Sequence, residues 1–233
     1  MARLIKPSTI SAGDTTFISE KADLPDPSGG IITLEDNKTY FITGPIDLTG
    51  DRLVAGQNTV ILGGSSENCI LSSTGLDSGT ALLSSAYSLP CRFFAISHGT
   101  AINLDATGNS DQALDWIGVN FLNCATIGTV KNYGNAIFQL CAHLNSQGLT
   151  FDGSIGTIGF TDCLFNPPAS GTALTFPSTL TITRRFRTSY SAFVILSGET
   201  GINMSTSATV PVEGYILDTV NFAGGGTYIT GVP

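Results

Sequence analysis

The sequence predicts an all-β chain wound as a single-stranded parallel β-helix behind a short N-terminal arm, with a β-sandwich as the alternative. Three observations carry that expectation. Charged residues make up only 12 % of the chain, about half the usual share, so Ser, Thr, Asn and Gly must cover the surface, which suits strands and turns. Short alternating apolar runs fill the chain with no convincing helical pattern. Related phrases then recur: WIGVNFLNC at 116–124, TIGFTDCLF at 157–165 and ILDTVNFAG at 216–224.

Residues 1–30 read as an arm or linker, because KADLPDPSGG at 21–30 holds two prolines, two glycines and three charges. The β-helix domain is expected over 31–233. Alternation begins at TYFITG (39–44) and TVILG (59–63) and returns at TLTIT (179–183). AIFQLCAHL at 136–144 is the one loosely helical stretch, yet Phe, Cys and Ile fit a strand equally. Strong strand centres from Phe41 to Val220 recur about every 20 residues. Aligning Ile117-Gly118 with Ile158-Gly159 gives a shift of 41, read as two periods, and Val119-Asn120-Phe121 recurs as Val220-Asn221-Phe222, read as five. Three short strands per period give three sheets, with roughly nine or ten coils stacked about 4.8 Å apart into a rod on the order of 45 Å long. Turn signals at close intervals suit a sandwich as well, but tight hairpin dipeptides are nearly absent, which favours the helix. Within WIGVNFLNC, Val119 and Phe121 are expected inside, Asn120 outside, Asn123 at the turn, and Cys124 as an apolar filler.

Net charge of −8 and a pI near 4.5 oppose binding to nucleic acid or an anionic membrane surface. Arg184, Arg185 and Arg187 are the local exception, read first as a protective strand edge and second as a site for an acidic partner or carboxylated sugar. No apolar core follows the basic N-terminal residues as a secretory signal requires, and no run approaches the roughly 20 apolar residues that span a bilayer. The chain is therefore expected to be made in a cytoplasm, with no membrane insertion. Five cysteines (Cys69, Cys91, Cys124, Cys141, Cys163) lack metal-ligand spacing and lie in apolar surroundings, so buried free thiols are expected.

GGIITLEDNKTYFITGPIDLTGDRLVAGQNTVILGG at 29–64 resembles the first coils of right-handed parallel β-helix proteins of the pectate-lyase-like class, and GVNFLNC resembles its usual coil element. The resemblance covers most of residues 29–230. Within that class, chains of this composition resemble bacteriophage virion proteins: tailspikes, fibres and capsid-decorating proteins, usually trimers. The resemblance implies a non-enzymatic structural protein of a virion, a homotrimer that decorates a capsid or attaches to a tail. Its partners would then be itself and major capsid or tail proteins. The alternative it leaves open is a tailspike-like domain that binds or degrades a host surface polysaccharide.

A lyase would need a calcium-binding carboxylate set and a base, and a glycosidase would need paired carboxylates. Asp105, Asp111, Asp115, Asp152 and Asp162 are the candidates, with stacked coils bringing Asp115 towards Asp152, although turns favour Asp for backbone reasons alone. His98 and His143 stand singly, which suits core or interface residues better than a metal site or a base. GGSS (63–66) and GGGT (224–227) lack the helix and lysine of a phosphate loop, and no cofactor motif is present. Trp116, Tyr133, Tyr190 and Tyr215 are the aromatic candidates for a sugar groove, with packing as their competing role.

Overall fold

A computed structural model describes residues 15–109, 111–211 and 215–231. Among them, 26 strands and one short 3-10 turn (Lys21–Asp23) account for the regular structure. The strands form three parallel sheets, the three sides of a β-helix. Side one has nine strands, from Thr15–Ile18 to Tyr215–Asp218. Side two has eight, from Ile46–Asp47 to Asn221–Ala223, and side three has nine, from Ile31–Thr33 to Thr227–Thr230. The chain visits side one, two and three in turn, giving eight complete coils after a first coil without a side-two strand. At ordinary strand spacing the nine levels make a rod of about 40 Å.

Inward residues stack in register. On side two, Phe121, His143, Phe165, Phe193 and Phe222 succeed one another in neighbouring coils. Their rings touch throughout, with Phe165 and Phe193 stacked at 4.2 Å. On side one Cys91, Trp116, Phe138 and Phe160 form the equivalent column. Each buried Phe contributes roughly 1.5–3 kcal/mol through apolar burial, so the columns are the main cohesive feature of the rod. AIFQLCAHL is not helical: it supplies strands Asn135–Gln139 and Ala142–Leu144 with a corner between them.

The coils are longer than the spacing of strand centres predicts. The side-two column steps from Phe121 to His143 and Phe165, then by still longer intervals to Phe193 and Phe222. Val119-Asn120-Phe121 and Val220-Asn221-Phe222 are thus structurally equivalent, but four coils apart and not five. The shift of 41 is out of register, since Ile117 reaches Thr161 after two coils.

Three sets of corners turn the chain. Between sides two and three, Asn123 and Asn145 take left-handed backbone (φ 53° and 48°), and the Asn145 amide donates to Asn123 Oδ1 at 2.8 Å. Asn58 and Asn37 repeat this ladder between sides three and one. The corner between sides one and two is unlike these. In six successive coils its left-handed residues are Phe93, Gly118, Leu140, Asp162, Tyr190 and Thr219. A bulky residue in that conformation costs about 1–2 kcal/mol, and asparagine or glycine is the usual occupant.

The stretch read as an arm contains core-bearing structure from residue 15. Thr15–Ile18 pairs in parallel with Thr39–Ile42, Ile18 is buried, and Leu24 packs on the core. The 3-10 turn is held by Asp23, which accepts from Ser19 and Glu20, and by a 2.6 Å Lys21–Asp51 ion pair. The remainder of that arm, residues 1–14, lies outside the described residues. No helix among the described residues is long and apolar enough to cross a membrane.

Candidate functional site

Side one carries the most distinctive surface of the rod, across strands Asn135–Gln139, Ser154–Thr161 and Thr181–Ser189. Pairing between the last two slips: Ile155 faces Ile182, but Thr157 faces Arg185, so Gly156 lies opposite both Thr183 and Arg184. Such a bulge re-aims side chains, and here it displays Arg184 on the surface. Arg184 borders two adjoining clefts. One, of about 510 Å³, is lined by Thr107, Asp111, Asn132, Tyr133 and Ser154. The other, of about 370 Å³, runs between Asn135, Thr157, Thr161, Arg185 and Arg187. Gly134, Gly156 and Gly159 line this groove, where neighbouring coils approach closely. A Cβ on Gly156 would run into the Gly134 carbonyl oxygen, and one on Gly159 would lie 2.9 Å from Ile137 Cδ1.

The three guanidinium groups stand exposed in a chain of net charge −8. Arg187 pairs with Asp218 at 3.3 Å, whereas Arg184 and Arg185 make no ion pair among the described residues. The arginine run read from the sequence therefore forms the wall of a groove. What the sequence did not disclose is the bulge and the glycine floor; SIGTIG at 154–159 is their trace.

The candidate carboxylates do not converge. Asp105, Lys131 and Asp152 stand in register at the end of side three, with Lys131 3.9 Å from Asp152. Burial pushes Asp105 up, but the Thr107 hydroxyl and amide, Asn132 and Lys131 outweigh it and hold the carboxyl below its ordinary range. Asp152 accepts from the Gly153 amide and the Thr179 hydroxyl. Asp115 lies on side one, 3.2 Å from Arg92, so Asp115 and Asp152 occupy different sides and the expected approach between them does not occur. Asp111 borders the larger cleft, and Asp162 is exposed at the corner between sides one and two. No three His, Cys, Asp or Glu among the described residues gather as a metal site.

Two of the aromatic candidates belong to the core. Trp116 is fully buried and donates from Nε1 to the Leu89 carbonyl at 2.8 Å. Tyr133 is buried too, its hydroxyl on the Tyr87 and Ser85 carbonyls, and burial raises its pKa. Neither offers a ring face to a sugar. Tyr190 does stand out, 60 % exposed at its left-handed corner, and Tyr215 opens the last strand of side one. All five cysteines are buried free thiols. His98 contacts the Asp77 carbonyl. His143 is a core residue, but neither ring nitrogen has a hydrogen-bond partner among the described residues.

No family model matches this chain, and no curated protein or solved structure matches it either.

Proposed function

We propose that this chain is a non-enzymatic structural protein of a bacteriophage virion, a rigid β-helical rod that works as a homotrimer on a capsid or tail. The observation that carries the reading is where the carboxylates sit. Asp105 and Asp152 hold turns, Asp115 is ion-paired, and Asp111 and Asp162 stand on separate parts of the rod. Acid–base chemistry on a sugar needs two such groups across one bond. Contact surface, by contrast, is plentiful: Phe17, Phe93, Leu140 and Tyr190 are all large and exposed. The virion setting rests on a resemblance in composition, low charge with abundant Gly, Ser, Thr and Asn, to the virion proteins of the parallel β-helix class. Light scattering on the purified protein should return a trimer, and the protein should co-sediment with particles. A monomer that is absent from particles would overturn the proposal.

The arginine groove favours a second reading, a polysaccharide-binding module for an acidic host glycan. Binding to carboxylated polysaccharide that disappears in Arg184→Ala/Arg185→Ala, without sugar release, would support it. Release of reducing or unsaturated sugars would overturn the non-enzymatic reading instead.

A further inference from the structure

Each of the three strands that build the groove ends at the corner between sides one and two. Asn135–Gln139 runs on to Leu140, Ser154–Thr161 to Asp162, and Thr181–Ser189 to Tyr190. The groove therefore runs along the outer face of these strands, from Gly134 and Asn135 at their start to Thr161 and Arg187 near their end, and a ridge stands just beyond it at the same three levels of the rod. Leu140 is 57 % and Tyr190 60 % exposed, with the carboxylate of Asp162 between them. The ridge is apolar with one negative charge. Across side one, the groove has a glycine floor and, in Arg184 and Arg185, two guanidinium groups that make no ion pair among the described residues.

We propose that copies of this chain pack side by side, with the Leu140–Asp162–Tyr190 ridge of one copy seated in the groove of the next. The inference rests on the homotrimer reading and names its contact. Leu140 and Tyr190 fill the two clefts, and Asp162 meets Arg184 and Arg185. Different patches of the same surface meet, which is the heterologous contact that closes a cyclic ring. Because the groove lies on side one and the ridge borders it, the contact sets side one against the neighbouring copy. Its outer surface suits the place: Phe17 is 65 % exposed with its ring 5.5 Å from Phe41, and Ile216 is also exposed.

The test is a charge swap read by sedimentation equilibrium at low and high salt. Asp162→Arg and Arg184→Glu/Arg185→Glu should each weaken association about tenfold or more, because like charges then meet across the contact. The variant carrying all three changes should return to within about threefold of the starting protein, since complementarity is restored. Circular dichroism should be unchanged, as all three side chains are exposed, while urea midpoints of the weakened variants should fall at low protein concentration with the loss of assembly. A trimer that tolerates both single-sided changes, or a combined variant that stays dissociated, overturns this contact while leaving the homotrimer intact. A starting protein that is monomeric at all concentrations overturns the homotrimer itself.

Discussion

His143 occupies the position that Phe121 and Phe165 fill in the coils on either side, with ring centroids 5.2 and 4.7 Å away. His143→Phe therefore extends an aromatic column already present. Both imidazole nitrogens are buried without partners, and an unpaired buried polar group costs about 1–3 kcal/mol. The variant should gain about that much stability at pH 7.5. In acid the gap should widen. Burial lowers the His143 pKa to about 3, against about 6.5 for a free imidazole. Below pH 6.5 the unfolded chain takes up a proton that the folded chain refuses, so the native protein loses about 1.4 kcal/mol per pH unit until the folded pKa is reached. Between pH 6.5 and 4.5, above most carboxylate titration, that loss amounts to about 2 kcal/mol, suffered by the native chain and not by the variant. Urea unfolding of both proteins at pH 7.5, 6.5, 5.5 and 4.5 measures the difference directly, since every other titrating group is shared. Midpoints that fall in parallel with pH, or a variant weaker than its parent at pH 7.5, would refute the account of His143 as a neutral, unpartnered core residue.

Four further outcomes follow from the same geometry. Thr188→Val should raise stability by about 1 kcal/mol in urea unfolding, because the buried Thr188 hydroxyl has no partner. Gly156→Ala should cost at least about 2 kcal/mol in the same assay, since its Cβ would meet the Gly134 carbonyl. Asn145→Ala should cost about 1–2 kcal/mol by removing the amide bond to Asn123 and placing a non-Asn residue at φ 48°. A thiol reagent at pH 8 should leave the native protein unmodified and label five cysteines after denaturation, because all five are buried and burial raises Cys91 and Cys141.

Side-chain alternation was legible because inward and outward positions differ in polarity. Val119 and Phe121 are buried, Asn120 is half-exposed, Asn123 turns left-handed and Cys124 is buried, as WIGVNFLNC implies. Coil length was not legible. Coils lengthen at their corners while the inward column stays in register, so a fixed period counts five turns where there are four. The corner between sides one and two escaped notice because Phe93, Leu140 and Tyr190 carry no turn signature. Trp116 misled for a different reason. A large aromatic with one polar atom suits a sugar groove or a core equally, and only the Leu89 carbonyl beneath Nε1 decides between them. The arginine run was visible, but the bulge that aims Arg184 depends on Ser154–Thr161 in the previous coil, a partner that no local pattern around Arg184 reveals.

The uniform stacking of coils makes this rod a gauge graduated in whole turns. Each turn touches chiefly the one before and the one after. Removing residues 132–153, one 22-residue step of the register that pairs Asn135 with Thr157, should therefore shorten the molecule by about 4.8 Å and take one level of the groove and ridge with it. Corner insertions, such as those that lengthen the later coils, change girth and leave reach alone. Selection on this chain can therefore adjust how far its two ends stand apart, one turn at a time, separately from its girth.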